Sequence, residues 1–391
     1  MRVQRRHPSG ARRTASRGSA VKVVSVVGAR PQFVKLAPIA RQLALRGDEH
    51  TIVHTGQHYH PLLSQSFFSE LHIPPPDVNL EAGRAGHAAQ TSEMLTRLDP
   101  VLARTRPDWV LTYGDTNSTL AATLAAAAQN LPIAHLESGL RSFDRTMPEE
   151  RNRIVADHLA DLLLAPTPAA MANLAAEGLA ARSVLTGDLM VDALRAVTDP
   201  SSGPPAPLPP FLADHRGPYL LATVHRQATT DDPDRLSAVI AALTACPHPV
   251  WLLVHPRLAT RCHQFGIDLA GGSLHTTDPL PYRTMLTALA AAAGLITDSG
   301  GLQKEALVLG VACSTLRAET EWPETLADGW NVLVPDPRDL PAAVARTRPT
   351  GKPPSPFGDG HAAARIVTEL ESRTHTAARP ATRPIPRSVT A

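Results

Sequence analysis

Three carboxylates in the first half of the chain stand where an acid or a base could act on a bound ligand. Asp115 follows the apolar segment WVLTYG, Glu137 follows PIAHL, and Glu149 follows the proline of MPEERNR. A carboxylate at the end of a buried strand is costly unless it is paired or used in chemistry. Asp115 could instead cap a helix, and Glu149 could simply complement a helix dipole. Three such groups meeting at one face predict general acid–base chemistry.

Two glycine-containing turns lead from apolar segments into helical segments and could bind phosphate groups. The first, GARPQFVK, carries Arg30 and Lys35, and the second contains Ser299, Gly300 and Gly301. Free backbone N–H groups and the positive end of the helix dipole attract anions at such turns. Neither turn matches the P-loop or the dinucleotide fingerprint. For the first turn, an ordinary strand-to-helix connection with surface basic residues remains the alternative.

Two further residues of the second half could contact a ligand in the same cleft. Glu305 lies one turn into the helix after the second glycine turn, where it could bind neutral hydroxyls such as those of a ribose. His225 follows the apolar segment LLATV, and a lone histidine at such a place is either structural or catalytic. The three cysteines have no close spacing, and no cluster has metal-ligand spacing, so the sequence predicts neither a disulfide scaffold nor a metal site.

Two sets of short β-branched segments, alternating with helical segments such as Phe33–Arg46 and Thr119–Gln129, must position these residues. The first set of predicted strands is Val21–Val27, His50–His54, Trp109–Tyr113, Pro132–Leu136, Leu162–Ala165 and Ser183–Leu185. The second set is Tyr219–Val224, Val250–Val254, Ser273–Thr276, Gly294–Ile296, Ala312–Leu316 and Asn331–Val334. This α/β pattern predicts two Rossmann-like parallel-sheet lobes that face each other across a cleft. Ligands of such sheets bind beyond the carboxyl ends of the strands.

The charge of the chain divides it into a folded body and two basic ends. The ends hold ten arginines and no acidic residue, so subtracting them from the chain's net charge of +2 leaves −8 for residues 21–372. An acidic body predicts no nucleic-acid partner, and no apolar run is long enough to cross a membrane. The sequence predicts these segments: a disordered basic tail at 1–20, an N-terminal lobe at 21–192, a C-terminal lobe at 193–356 with a Pro-rich linker at 201–210, a helix at 357–372 that packs back on the first lobe, and a disordered basic tail at 373–391.

Nine motifs run through the chain in the order of a known family. They are GARPQFVKLAPI, TGQH, YGDTNSTLA, HLESGLRSFDRTMPEERNRI, TGD, HR, HP, DSGGLQKEA and ETEWPET. Together they resemble the UDP-N-acetylglucosamine 2-epimerase family of the non-hydrolysing type, which has the GT-B fold. The resemblance implies inversion at C2 of UDP-GlcNAc to give UDP-ManNAc, through elimination of UDP to a 2-acetamidoglucal and re-addition of UDP.

The resemblance also assigns roles to the residues above. Asp115, Glu137 and Glu149 become the acid and base candidates, without a decision on which is which, and His225 acts in catalysis or in orienting the diphosphate. A carboxylate base for C2 must be desolvated and have a raised pKa, and carboxylates packed together raise one another's pKa. The ligand contacts implied for the UDP moiety are Arg30, Lys35, Ser299, Gly300 and Gly301 on the diphosphate, Arg153 near the substrate, and Glu305 on the ribose.

The same resemblance implies no cofactor, a cytoplasmic location and a homodimer, with UDP-GlcNAc and UDP-ManNAc as the small-molecule partners and no membrane partner. Three alternatives remain open on the sequence: a hydrolysing epimerase that releases UDP and ManNAc, a GT-B glycosyltransferase, and a UDP-sugar-binding regulator. The last is suggested by Ala228, which stands where the family usually has Glu.

Overall fold

The structure is a computed structural model that describes residues 20–57, 68–83, 86–198 and 206–376. Nearly all of the predicted N-terminal tail, residues 377–391 of the predicted C-terminal tail and the first half of the predicted linker 201–210 lie outside these ranges. Among the described helices, none is long and apolar enough to cross a lipid bilayer.

The first lobe is built on a parallel sheet of seven strands within the described residues. These strands are β1 (Lys22–Val27), β2 (Glu49–His54), β3 (Val78–Asn79), β4 (Trp109–Tyr113), β5 (Ile133–Leu136), β6 (Leu162–Ala165) and β7 (Ser183–Leu185). Their order is β3-β2-β1-β4-β5-β6-β7, so the chain reverses direction across the sheet between β1 and β4. The six predicted strands are confirmed, and β3 is an additional strand of two residues.

The second lobe repeats this plan with six parallel strands in the described part of the chain. They are β8 (Leu220–Thr223), β9 (Val250–Leu253), β10 (Leu274–Thr277), β11 (Gly294–Thr297), β12 (Cys313–Thr315) and β13 (Asn331–Leu333). Their order is β10-β9-β8-β11-β12-β13, with the reversal between β8 and β11. All six strands predicted for this lobe are confirmed. The predicted fold class, two Rossmann-like lobes, is therefore the observed one.

Helices flank both sheets and connect successive strands. In the first lobe they are α1 (Arg30–Arg46), α2 (His87–Thr105), α3 (Asn117–Ala128), α4 (Pro148–Leu159), α5 (Pro168–Ala176) and α6 (Leu189–Thr198). After residue 205 they are α7 (Pro210–Ala213), α8 (Gln227–Thr230), α9 (Pro233–Thr244), α10 (Pro256–Phe265), α11 (Tyr282–Ala290), α12 (Gly300–Leu309), α13 (Leu340–Ala345) and α14 (Ala362–Thr376).

The start of α1 shows how a side chain fixes a strand-to-helix turn. The Gln32 side chain accepts hydrogen bonds from the backbone N–H groups of Gly28 and Ala29, over 2.7 Å and 3.0 Å. Its amide nitrogen donates to the carbonyl of Tyr113 at the end of β4, over 2.8 Å. Gln32 is buried. The first glycine turn is therefore held rigidly against the neighbouring strand end.

The last helix, α14, packs on the first lobe although it follows the second lobe in sequence. The Asp192 carboxylate on α6 accepts hydrogen bonds from the first backbone N–H groups of α14. Trp109 Nε1 donates to Thr374 Oγ1 over 2.8 Å, and Arg46 Nη1 lies 2.5 Å from Glu371 Oε2. The helix continues past residue 373, where the sequence predicts the start of the tail.

Candidate active site

Glu137 lies at the carboxyl end of β5, between lysines that come from different lobes. Lys35 on α1 donates to Glu137 Oε2, and Lys304 on α12 donates to Oε1 over 3.1 Å. Burial alone would raise the pKa of Glu137, but the charges of Lys35 and Lys304 outweigh it and lower the pKa to about 2. The expectation that the catalytic carboxylates have raised pKa values is therefore wrong for Glu137, because its neighbours are cations and not other carboxylates.

Lys304 extends this ion-pair cluster to a second carboxylate of the first lobe. Its Nζ donates to Asp188 Oδ2 over 2.5 Å and lies 3.6 Å from the centroid of the Trp322 ring. The two carboxylates raise the pKa of Lys304 against the lowering effect of burial. The sequence contains these residues in the motifs DSGGLQKEA, TGD and ETEWPET, but their roles were not predicted from it.

Asp115 does not cap the helix that follows it. The cap of α3 is Thr116, whose side chain accepts from the backbone N–H of Thr119. Asp115 instead accepts a hydrogen bond from Arg153 Nη2. Burial alone would lower the pKa of the Arg153 guanidinium, but Asp115, Glu321 and Glu150 outweigh it and raise the pKa. Arg153 thus lies among three carboxylates, one of which belongs to the second lobe.

The two glutamates at the start of α4 have different surroundings. Glu149 is exposed and has no ion-pair partner among the described residues. Glu150 is buried, accepts from the backbone N–H groups of Ser142 and Phe143, and pairs with Arg153 over 2.9 Å. Glu150 therefore fixes the loop before α4, while Glu149 points to solvent. Among the described residues, no hydrogen bond or ion pair joins the three predicted carboxylates to one another.

The two predicted phosphate turns differ in how open they are. The side chain of Arg30 lies outside the described part of the chain, whereas Lys35 is buried and contacts Glu137. In the second turn Ser299 precedes the first residue of α12, and its backbone N–H donates to Thr297 Oγ1. A Cβ added to Gly301 would have no heavy atom within 4 Å. The backbone at Gly301 is therefore open to a ligand.

Gly300, one residue earlier, faces a buried carboxylate instead. A Cβ there would come within 2.4 Å of Glu321 Oε1. Glu321 also binds Arg226 over 3.0 Å and Arg317 over 2.6 Å. Burial alone would raise the pKa of Glu321, but the two arginines outweigh it and lower the pKa to about 2. Arg226 and Arg317 are cations of this cleft that sequence reasoning missed, although HR and ETEWPET mark their neighbourhood.

His225 and Glu305 each contact a fixed neighbour in the second lobe. His225 Nδ1 lies 3.2 Å from Asp298 Oδ1, and the His225 side chain is 37% exposed. The backbone N–H groups of His225 and Arg226 donate to the same carboxylate. Glu305 is buried and accepts from Tyr282 Oη over 2.9 Å. His225 is thus oriented at the end of β8 and still reaches solvent.

A buried network below the surface joins the ends of β4 and β5. His135 Nδ1 lies 2.7 Å from Asp157 Oδ1, and its Nε2 lies 2.8 Å from the Gly114 carbonyl oxygen. Asp157 also accepts from the Gly139 backbone N–H over 3.0 Å and pairs with Arg141 over 2.7 Å. The turns that carry Asp115 and Glu137 are therefore held in one rigid unit.

The fold and this site define a class of protein: two Rossmann-like lobes, with carboxylates and cations meeting at the strand ends between them, are a GT-B architecture. Groups of His, Cys, Asp or Glu that could hold a metal ion are absent from the described residues.

The chain belongs to the UDP-N-acetylglucosamine 2-epimerase family, whose model matches residues 41–371. A UDP-N-acetylglucosamine 2-epimerase homolog of Methanococcus maripaludis is 40% identical over 357 residues, which cover 90% of this chain and 100% of that one. The UDP-2,3-diacetamido-2,3-dideoxy-D-glucuronate 2-epimerase of Pseudomonas aeruginosa is 40% identical over 361 residues, covering 90% and 99%. The crystal structure of Methanocaldococcus jannaschii UDP-GlcNAc 2-epimerase in complex with UDP-GlcNAc and UDP has a TM-score of 0.83 at 34% identity, covering 90% and 99%.

Proposed function

We propose that this protein is a non-hydrolysing epimerase that interconverts UDP-GlcNAc and UDP-ManNAc. The observation that carries the proposal is the Glu137 carboxylate, held at a strand end between cations from both lobes. In the forward direction a base removes the proton on C2 while UDP leaves C1, which gives a C1–C2 double bond. UDP then adds back to C1, and an acid delivers a proton to the opposite face of C2. No atom is lost, so the reaction is an isomerisation.

Glu137 starts the reaction as an anion, because its pKa of about 2 keeps it ionised at neutral pH. It can therefore accept a proton but not donate one at the outset. Lys35 is proposed to bind both Glu137 and the incoming diphosphate. When the diphosphate takes Lys35, Glu137 loses one stabilising cation and gains a nearby negative charge, so its pKa rises toward that of a useful base. Substrate binding would then activate the base.

The remaining candidates divide between proton transfer and binding. Asp115 and Glu149 are proposed for the second proton transfer, with His225 acting on the substrate or the diphosphate. Arg30, Arg153 and the N-terminal turn of α12 (Ser299, Gly300 and Gly301) are proposed to stabilise UDP as it leaves, because fixed donors aimed at a developing charge lower the barrier. Glu305 is proposed to bind the ribose hydroxyls.

Retention of UDP distinguishes this reaction from hydrolysis. The contacts that Lys304 makes with Glu137 and Asp188 join the two lobes across the cleft. Lobes held together exclude water from a reactive glucal and keep UDP near C1. These contacts support a non-hydrolysing enzyme.

The test is incubation of the purified protein with UDP-GlcNAc in deuterated water, followed by proton and phosphorus NMR. The proposal expects UDP-ManNAc and deuterium at C2 of both sugars. Accumulation of UDP and free ManNAc would identify a hydrolysing enzyme, and UDP release that depends on an added acceptor would identify a glycosyltransferase. Binding of UDP-GlcNAc without exchange at C2 would identify a regulator.

A second candidate substrate is favoured by one comparison. The relative named for UDP-2,3-diacetamido-2,3-dideoxy-D-glucuronate shares 40% identity with this chain, the same identity as the UDP-N-acetylglucosamine 2-epimerase homolog of M. maripaludis. That substrate carries a carboxylate on the sugar, which would need an additional cation. Measuring kcat/KM for both nucleotide sugars decides between them.

A further inference from the structure

Lys304 belongs to the second lobe, but its ammonium group pairs with carboxylates of the first lobe. It comes from α12, it is 3% exposed, and its Nζ lies 3.1 Å from Glu137 Oε1 and 2.5 Å from Asp188 Oδ2. Both carboxylates belong to the first lobe. Burying an ammonium group in this way is favourable only if its pairing with the two carboxylates offsets the free-energy cost of desolvation.

Three groups surround the Lys304 ammonium group. It donates to Glu137 and Asp188, and the centroid of the Trp322 ring lies 3.6 Å from Nζ. Lys35 differs, since Glu137 is its one acceptor among the described residues. Lys35 can therefore exchange Glu137 for another anion, whereas Lys304 is fully engaged.

Asp188 is itself fixed, which makes it an anchor for Lys304. Its Oδ1 accepts from the backbone N–H of Met190 over 2.8 Å at the start of α6. Its own backbone N–H donates to the carbonyl of Phe357 over 2.9 Å. Asp188 is buried, so its carboxylate has little freedom to follow a moving partner. The position of Lys304 is thus set by the first lobe as well as by α12.

Glu137 has a backbone conformation that needs such support. Its φ is 66°, in the left-handed region that residues other than glycine rarely adopt. The two carboxylate oxygens are held separately, Oε2 by Lys35 and Oε1 by Lys304. If Lys35 turns to a bound diphosphate, Lys304 is the cation that still defines the orientation of Glu137.

We propose that Lys304 is a positioning residue for the epimerisation: it holds the Glu137 carboxylate in its reactive orientation from the opposite lobe while Lys35 serves the diphosphate. This inference rests on the proposed function. The charged groups that face Glu137 are Lys35 from α1 and Lys304 from α12, and Asp188 faces Lys304. Loss of Lys304 should therefore affect both the geometry and the proton affinity of Glu137.

The decisive variant is the double substitution Lys304→Met with Asp188→Asn. It removes one positive and one negative charge, so the charges of the remaining pair, Lys35 and Glu137, still cancel. No buried carboxylate is left unpaired. We expect a melting temperature close to that of the wild type, with kcat lowered about 100-fold by the misplaced base. We also expect the acid limb in the pH profile of kcat/KM to move to higher pH than in the wild type, because Glu137 has lost one of the two cations that lower its pKa.

Two single variants serve as controls. Lys304→Arg keeps the charge, so the pH profile should stay at the wild-type position and kcat should recover at least tenfold relative to the double variant. Arg46→Met removes an ion pair with Glu371 on α14, away from the cleft. It should lower the melting temperature without moving kcat or the pH profile.

The outcomes separate this inference from the proposed function. If the wild-type protein exchanges no deuterium at C2, both the proposed function and this inference are refuted. A wild type that exchanges deuterium, together with a folded double variant that keeps the wild-type kcat and pH profile, shows that Lys304 is only structural. A double variant with lowered kcat and a shifted acid limb supports positioning.

Discussion

Replacing Asp157 by Asn tests the buried network that joins the turns of Asp115 and Glu137. Asp157 has no exposed surface and contacts three donors: His135, Arg141 and the backbone N–H of Gly139. Breaking a buried ion pair by removing one partner costs about 3–5 kcal/mol. Arg141 keeps its contacts with Glu177, so we expect the lower end, about 3 kcal/mol of unfolding free energy.

The assay is urea unfolding followed by circular dichroism, repeated as a function of pH. Burial alone would raise the pKa of Asp157, but His135 and Arg141 outweigh it and lower the pKa. The stabilisation from its charge is therefore complete above the ordinary pKa of 3.8 and is lost as the pH falls through the lowered pKa of the folded state. The difference between the wild type and Asp157→Asn should narrow over that same acidic range.

Glu177→Gln is the matched control, because Glu177 pairs with the same guanidinium group of Arg141. The Glu177 side chain is 29% exposed, so its removal should cost no more than about 1 kcal/mol. Asp157→Asn should also lower kcat, because Gly139 lies two residues after Glu137. Equal losses of stability from the two substitutions would refute the argument that burial makes Asp157 the dominant partner.

Four further predictions concern the cleft. Gly301→Ala should leave the melting temperature unchanged, because the added Cβ meets open space, but it should weaken UDP binding about tenfold in calorimetry. Gly300→Ala should lower the melting temperature, because its Cβ would come within 2.4 Å of a carboxylate oxygen. Lys35→Met should lower kcat about 100-fold or more in the NMR assay, since it removes a cation from the leaving diphosphate. Glu305→Gln should weaken UDP binding about tenfold and leave pyrophosphate binding unchanged in calorimetry. Because the pKa of Glu137 is lowered from 4.5 to about 2, its stabilising effect should be complete above pH 4.5 and fall away toward pH 2; melting curves of Glu137→Gln should lose this acid dependence.

The strands were predictable because each is a short apolar or β-branched run, and the central ones, such as β4, are buried along their whole length. β3 escaped prediction because two residues, Val78 and Asn79, carry no periodicity. Helix starts were predictable to within a few residues for α1 and α3, whereas α14 begins at Ala362 and not at the predicted residue 357. These signals are local in sequence.

The parts of the site that the sequence did not predict are those that depend on contacts between distant segments. Lys304 and Asp188 are 116 residues apart, and only the meeting of two lobes makes them a pair. Glu149 and Glu150 are adjacent, and helix register alone decides that Glu150 is buried. The pKa of Glu137 has the opposite direction to the one expected, because the cations that lower it come from α1 and α12. Sequence motifs mark such residues, but they do not show whether the neighbouring charges raise or lower a pKa.

The docking of α14 on the first lobe has a consequence for synthesis on the ribosome. Ile366, Val367 and Leu370 of α14 share a buried cluster with Leu36 and Ile39 of α1. These partners are translated more than 300 residues apart, so an emerging first lobe exposes that apolar face until the second lobe has been made. Nascent chains arrested before residue 362 should therefore bind chaperones through α1, and a peptide of residues 362–376 added in trans should displace them.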